Sequence, residues 1–120
     1  MNKKILSKVS LITAYILFFC LSLTGPAMAQ GPIKIGFVAS ITGGASFLGQ
    51  PEKDTALMVQ EWINKEGGIK GVPVQIIIED SKSDPSQAVL ATKKLIEGDK
   101  VIVIIGPSTS GESMAMAPIC

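Results

Sequence analysis

Histidine and arginine are absent from this 120-residue sequence, and cysteine occurs only twice, as Cys20 and Cys120. The usual ligands of a transition-metal site, a group of histidines and cysteines, are therefore missing. A serine nucleophile would also lack the imidazole that commonly activates it. We expect no metal centre, no cofactor and no nucleophilic catalysis.

The sequence also lacks a strong charge of either sign, because its formal net charge is +1 and all of its basic residues are lysines. Three of the eleven lysines lie within the first 29 residues, which leaves eight lysines against ten acidic residues and a net charge of −2 in the remainder. Only 5% of the residues are aromatic, and none is interleaved with a lysine cluster. These features predict no nucleic-acid partner.

The first 29 residues have the organisation of a secretory signal peptide. Met1–Lys8 carries three lysines and no acid, Val9–Leu23 is mostly apolar, and small residues lead to Ala29. A membrane-spanning helix needs roughly 20 apolar residues, so the run is short for an uncleaved anchor. The two phenylalanines before Cys20 fit poorly at a lipid-modification site. We predict cleavage after Ala29 and a periplasmic location.

About ninety residues remain after this cleavage, which is fewer than an α/β domain usually has. Pro118–Cys120 supplies neither a closing strand nor a helix stop. We therefore expect the chain to be the opening part of a longer protein, with an exposed sheet edge and a half-covered core as it stands.

Three strand–helix units are predicted in the remainder, which indicates an α/β fold with a parallel, doubly wound sheet. The strands are rich in Val and Ile, as expected where helices cover both faces of a sheet. The predicted strands are Ile33–Ala39, Pro73–Glu79 and Val101–Ile105. The predicted helices span about Gln50–Lys65, start at Pro85 after an Asp84 N-cap, and follow the third strand until Pro118.

The apolar positions of the first two helices predict which sides are buried. The first helix should bury Ala56, Val59 and Ile63 together with Leu57 and Trp62, and expose polar residues that include Gln60 and Asn64. The second helix should bury Val89, Leu90, Leu95 and Ile96.

Three hydroxyl side chains, Ser108, Thr109 and Ser110, follow the third strand after Gly106 and Pro107. Gly106–Ser113 nearly matches the phosphate-binding P-loop pattern, but Glu112 replaces its lysine and would repel a nucleotide triphosphate. Amides and hydroxyls at such a junction can bind a smaller anion. Thr109 and Glu112 also have the spacing of a capping box, so a plain capped helix is the alternative interpretation.

A second loop rich in glycine and hydroxyl groups follows the first strand, and Phe47 and Leu48 add an apolar wall to it. In doubly wound sheets, ligands bind beyond the carboxyl ends of the strands where the strand order reverses. If the first strand is central, the loops Ser40–Gly49 and Gly106–Ser110 border that crevice. We therefore predict half of a binding site for a small carboxylate-bearing solute.

The segments Ile33–Gly49, Ile63–Gly71, Glu79–Val89 and Ile105–Ser113 resemble, in order and spacing, the type I periplasmic solute-binding proteins of ABC importers. The similarity is strongest to the branch that captures branched-chain amino acids, and it covers essentially the whole chain. The resemblance implies a two-lobed clamshell that delivers its ligand to a membrane permease without chemistry. Residues 30–120 would be the N-terminal part of the first lobe, with the second lobe absent.

The resemblance also implies ligand-binding residues. Ser110 falls on the family's serine that holds the ligand carboxylate through its hydroxyl and amide, and Leu48 falls on a position that packs on the ligand side chain. The full set of candidate ligand-binding residues is Thr42, Phe47, Leu48, Ser108, Thr109 and Ser110. Ser83 and Thr109 stand where some members carry a disulfide, so that bridge cannot form here. The ligand's identity stays open.

Two other function classes remain to be weighed. The same fold serves as the ligand-sensing domain of receptors and regulators, which would carry a membrane helix or signalling domain further along. An enzyme would need catalytic carboxylates such as Glu79, Asp80 or Asp84, but the first two end a strand and Asp84 serves as a helix cap. We therefore favour a transport-associated binding protein.

Overall fold

The computed structural model describes residues 31–120, and the predicted signal peptide, with its cleavage after Ala29, lies outside the described residues. Strands and helices alternate along this part of the chain. They are β1 (Ile33–Ala39), α1 (Ser46–Lys65), β2 (Val74–Asp80), α2 (Pro85–Lys93), a π-helical continuation (Lys94–Asp99), β3 (Val103–Ile105) and α3 (Ser110–Met116). No helix within residues 31–120 is both long and apolar enough to cross a membrane.

The three strands form one parallel sheet in the order β2-β1-β3, so the first strand is central and the condition for a crevice between the first and third strands is met. Ile33 pairs with Val74 at one end of β1 and β2, and Ala39 pairs with Asp80 at the other. Phe37 pairs with Ile105 at the end of β3. Right-handed crossovers place α1 and α2 on opposite faces of this sheet. The strand order reverses at β1, so the crevice of a doubly wound sheet lies at the carboxyl ends of β1 and β3.

The core lies between α2 and one face of the sheet. Leu95 is fully buried, and it packs closely against Gly36, where an added Cβ would lie 2.9 Å from the Leu95 side chain. The glycine in β1 therefore lets the helix approach the sheet. The core cluster consists of Val38, Ala88, Ala91, Leu95 and Met116, with Ile77, Val101 and Ile104 packed against it.

The helix α1 begins at Ser46, four residues before the predicted start near Gln50. Its first turn packs on the end of β1, because an added Cβ at Gly49 would lie 2.2 Å from the Ser40 carbonyl oxygen. Pro51 therefore lies inside the helix rather than in its first turn. This tertiary contact explains the difference, since the residue types alone favour a start at the proline.

The prediction of the buried side of α1 was wrong at two residues. Leu57 and Trp62 are 44% and 64% exposed, because they lie off the helical stripe that buries Ala56. Gln60 and Asn64 were expected to face water. Asn64 is exposed as predicted, whereas Gln60 is half-buried, and both side chains hydrogen bond to the free edge of β2. Asn64 accepts from the Val74 amide at 2.7 Å and donates to the Val74 carbonyl at 2.8 Å, and Gln60 accepts from the Ile76 amide.

The second helix and third strand also differ from the prediction. Leu90 and Ile96 are 59% and 38% exposed, whereas Leu95 is buried as predicted. Leu90 lies off the side of α2 that buries Ala88, Ala91 and Thr92, and Leu95 and Ile96 lie in the π-helical continuation. The strand β3 contains only Val103–Ile105, and Ile102 before it is 75% exposed. β3 pairs with β1 on one side only, so the sheet has an exposed edge, as predicted, and the exposed Val103 and Ile105 make this edge apolar.

Candidate functional site

The loop after β3 lies directly against the end of β1. Gly106 has a φ of +111°, and an added Cβ would lie 2.0 Å from the Val38 carbonyl oxygen. Only glycine fits both the backbone conformation and this close approach. The loop Gly106–Ser110 therefore lies beside the carboxyl end of β1. The two loops predicted to border the crevice meet there.

Ser108 connects this loop to two other elements. Its Oγ accepts a hydrogen bond from the Ser40 amide at 2.9 Å and donates one to the Glu52 carboxylate of α1. The loop after β3, the end of β1 and the first turns of α1 are thus joined at one atom. The Ser108 hydroxyl therefore both donates and accepts a hydrogen bond within the protein.

Thr109 is the N-cap of α3, and the predicted capping box with Glu112 is confirmed. The Thr109 Oγ1 accepts from the Glu112 amide at 3.4 Å. The Glu112 Oε2 in turn accepts from the Thr109 hydroxyl at 2.6 Å and from the Thr109 amide at 3.1 Å. The Thr109 hydroxyl therefore also has hydrogen-bond partners within the protein. Glu112 provides the acceptor for the amide of this N-cap residue.

The carboxylate of Glu112 is fully buried, which the sequence did not predict. Ser40 Oγ donates to it, 3.0 Å from both oxygens, and Ser40 Oγ lies 3.3 Å from Ser81 Oγ. Burial alone would raise the pKa of this carboxyl, but hydrogen bonds from the hydroxyls of Ser81, Thr109 and Ser40 outweigh it and hold the pKa below its usual value. Glu112 is thus an ionised group inside a shell of donors.

Sequence reasoning missed Ser40 and Ser81, which are fully buried. A signal was available, because each is a small hydroxyl residue within two positions of the end of a predicted strand. The carboxyl ends of neighbouring parallel strands lie side by side, so these two residues had to be near each other.

Asp80 organises the loop after β1. It accepts hydrogen bonds from the Ile41 and Thr42 amides at 3.0 and 3.1 Å, from the Lys82 amide at 2.8 Å and from the Thr42 hydroxyl at 2.6 Å. Burial alone would raise the pKa of Asp80, but these bonds, the Thr42 hydroxyl first among them, lower it. Ser83 Oγ completes the support by bonding the Ala45 amide and the Thr42 carbonyl.

Ser110, Phe47 and Leu48 are the predicted site residues whose side chains remain available. Ser110 is exposed in the first turn of α3, and its hydroxyl makes no hydrogen bond within residues 31–120. Phe47 and Leu48 are 73% and 38% exposed in the first turn of α1. The Ser108–Glu52 bond ties α1 to the loop that carries Ser110.

The chemistry of this end of the sheet is that of hydrogen-bond donors and an apolar wall. In the described part of the chain, no group of three or more cysteines, aspartates or glutamates is placed to hold a metal ion. The acidic residues near the crevice, Glu52, Asp80 and Glu112, all accept hydrogen bonds from neighbouring hydroxyls or amides. The arrangement can hold an anionic group that accepts from Ser110.

The amino-acid sequence of this chain is similar to the sequences of known proteins. A profile of the family described as periplasmic binding protein matches residues 32–120. The Leu/Ile/Val-binding protein BraC3 of Rhizobium johnstonii is 34% identical over 98 residues, which cover 82% of this chain and 26% of that protein.

Two solved structures share the fold. The branched-chain amino acid transporter substrate binding protein LivJ of Streptococcus pneumoniae, in complex with isoleucine, matches with a TM-score of 0.71 and 33% identity over 72% of this chain and 25% of LivJ. An extracellular ligand-binding receptor from Rhodopseudomonas palustris matches with a TM-score of 0.66 and 33% identity over 75% of this chain and 23% of that one.

The chain thus spans about a quarter of the length of the proteins it matches. The predicted fold class is confirmed, since the parallel α/β arrangement is shared with solved type I binding proteins. Because the profile match extends from Pro32 to the last residue, this chain belongs to the periplasmic binding protein family.

Proposed function

We propose that this chain is part of the substrate-binding component of an ABC importer, which captures a small carboxylate-bearing solute such as a branched-chain amino acid. The observation that carries the proposal is the exposed Ser110 hydroxyl, which has no partner within residues 31–120 and lies in a loop anchored to β1 and α1. Family members that share this fold include LivJ with isoleucine bound and the Leu/Ile/Val-binding protein BraC3.

The ligand carboxylate would accept a hydrogen bond from Ser110. Hydrogen bonds to a charged group contribute about 1.5–3 kcal/mol each. The hydroxyls of Thr42, Ser108 and Thr109 already donate to carboxylates of the protein. We therefore propose that these three residues border the ligand and hold the loops, whereas Ser110 makes the direct contact.

Phe47 and Leu48 would supply the apolar surface for the ligand side chain. Both lie at the start of α1, which Glu52 joins to the Ser110 loop through Ser108. A branched aliphatic side chain fits such a wall because it removes apolar surface from water without requiring a polar partner.

The protein would perform no chemistry on its ligand and would pass it to the permease subunits of the importer. Supporting this, the chain belongs to the periplasmic binding protein family. We place the mature protein in the periplasm, exported by residues 1–29. N-terminal sequencing of the exported protein should therefore begin at Gln30.

The test is a calorimetric titration of L-leucine, L-isoleucine and L-valine into the full-length gene product. Replacing Ser110 by Ala should weaken binding by roughly tenfold or more, since about 1.4 kcal/mol corresponds to a factor of ten. The matched control is Ser86→Ala, which removes an exposed hydroxyl from the first turn of α2 and should change nothing. Equal affinities for wild type and Ser110→Ala would disprove the role of Ser110.

A second candidate function is the ligand-sensing domain of a receptor, which the similarity to the Rhodopseudomonas palustris protein favours. The coding sequence beyond Cys120 separates the two. A second α/β lobe without a membrane segment supports the importer component, and a membrane helix followed by a signalling domain supports the receptor.

A further inference from the structure

The carboxylate of Glu112 accepts hydrogen bonds from the segments that follow β1 and β3, and Ser40 connects it to the segment that follows β2. Ser40 follows β1, Ser81 follows β2, and Thr109 follows β3, and each lies within the shell of this one buried group. The residue is far from Ser40 and Ser81 in sequence, so these contacts exist only when the sheet is formed.

The pattern of donors requires an acceptor at this position. An ionised carboxylate has two oxygens with about four lone-pair sites and no proton to donate. Ser40 donates to both oxygens, and the Thr109 hydroxyl and amide both donate to Oε2. A protonated acid or an amide would have one acceptor oxygen fewer and would place a donor opposite the Ser40 hydroxyl, which would then have to turn away from residue 112 and donate to Ser81.

The residue that this shell holds in place is the direct neighbour of Thr109. Ser110 follows the N-cap whose amide and hydroxyl are both bound by Glu112. Ser108, on the other side of Thr109, is fixed to the Ser40 amide and to Glu52. The backbone on both sides of Thr109 is therefore constrained, although Ser110 itself is exposed.

We infer that Glu112 is a positioning residue, whose buried carboxylate fixes the Ser110 loop to the ends of β1 and β2 before a ligand arrives. The inference rests on the proposed function only in taking Ser110 as a ligand contact. Preorganisation of this kind increases affinity because the loop is already ordered before the ligand binds. The loss of conformational entropy of the loop then does not oppose binding.

Other titratable groups on the packed segments do not replace Glu112. Glu52 of α1 accepts from Ser108, Asp80 at the end of β2 accepts from the loop after β1, and Asp84 caps α2. Lys82 follows β2 and is exposed. Each acidic group is thus engaged at a separate point, and the hydroxyls around Glu112 have this carboxylate as their shared acceptor.

The first arm of the test is amide hydrogen exchange on the ligand-free full-length protein. Glu112→Gln should speed exchange of the Thr109 and Glu112 amides by at least tenfold, while the amides of Ile35 and Phe37 in central β1 keep their rates. Glu112→Asp keeps the charge and should restore part of the protection, and Ser40→Ala removes one donor and should give a smaller increase. Glu66→Gln, an exposed glutamate at the end of α1, is the matched control and should have no effect.

The second arm measures L-leucine affinity in a double-mutant cycle. If Glu112 acts through Ser110, Glu112→Gln should weaken binding about tenfold, and the double variant with Ser110→Ala should be little weaker than either single variant. Fully additive effects, or faster exchange by the same factor throughout the sheet, would show a merely structural role and overturn the inference.

The two arms also separate this inference from the proposed function. If the wild-type protein binds none of L-leucine, L-isoleucine and L-valine, the proposed function fails, and the exchange data alone decide on Glu112. Wild-type exchange rates at Thr109 and Glu112 in the Glu112→Gln variant would overturn the inference even if leucine binds. Should Glu112→Gln fail to fold, Ser40→Ala and Glu112→Asp answer the same question by the ratio of loop to sheet exchange.

Discussion

Three alternate residues, two in β1 and one directly after it, pass from an apolar core to a polar network. Gly36 lies against Leu95, Val38 belongs to the core cluster, and Ser40 donates to Glu112. Val38, Ser40, Leu95 and Glu112 are all fully buried. Equal burial therefore serves two purposes: the core removes apolar surface from water without a directional requirement, whereas the network fixes the positions of particular atoms.

The largest expected effect comes from breaking the apolar region. Leu95→Ala should lower the free energy of unfolding by about 2–5 kcal/mol, because it leaves a cavity beneath α2. Urea denaturation monitored by circular dichroism measures this change. The matched control is Leu90→Ala in the same helix, whose side chain is 59% exposed and which should cost far less. Similar losses for the two variants would contradict the assigned burial.

A smaller effect is expected where the two regions meet. Gly106→Ala places a Cβ 2.0 Å from the Val38 carbonyl oxygen at a φ of +111°. The loop must shift, so we expect a loss of more than about 1 kcal/mol in unfolding free energy. Gly44→Ala is the control, since an added Cβ there meets nothing within 4 Å. Thermal denaturation of both variants measures the difference. Equal melting temperatures for Gly106→Ala and Gly44→Ala would contradict the close approach of Gly106 to Val38.

The smallest expected effect is a loss of stability at acid pH. It is also the effect most specific to the polar network. The folded pKa of Glu112 lies below its unfolded value of about 4.5, so the native state binds fewer protons over that interval. Stability should therefore be fully present above about pH 5 and be lost as the pH falls through the folded pKa. Asp80, whose pKa is also lowered, contributes in the same direction.

Urea denaturation at several pH values separates the two regions. Glu112→Gln should flatten the decline at acid pH relative to wild type, whereas Leu95→Ala should shift the whole curve downwards without changing its shape. A decline of unchanged slope in Glu112→Gln would show that this carboxyl does not keep a lowered pKa in the folded protein.

The sequence predicted the order of elements better than their surroundings. Runs of Val and Ile, the Asp84-Pro85 helix start and the Thr109–Glu112 capping box are local signals, and each appears in the structure. The predicted exposure of Gln60 and burial of Trp62 were wrong. The two errors have different causes. Trp62 lies off the stripe of α1 that buries Ala56, and a periodic pattern does not show which polar side chain, such as that of Gln60, meets a neighbouring strand edge.

Some residues of the candidate site could also be found from the sequence, and others only from the structure. The hydroxyl loop, Ser110, Phe47 and Leu48 could be selected from residue types and from the resemblance to the family. Glu112 could be recognised only as the partner of Thr109, three residues away. Its contacts with Ser40 and Ser81 join residues separated by dozens of positions, and no local pattern encodes them.

The sequence by itself determined the alternation of strands and helices, the family and the identity of the loop that carries Ser110, because these depend on local propensity and on short motifs. Only the tertiary structure decided that β1 is flanked by both other strands, that α1 begins against Ser40, and that a buried carboxylate joins the ends of the three strands. The physical reason is that strand pairing and burial arise between segments distant in sequence. The partners of a polar side chain are therefore set by the packing of the whole sheet rather than by its neighbours in the chain.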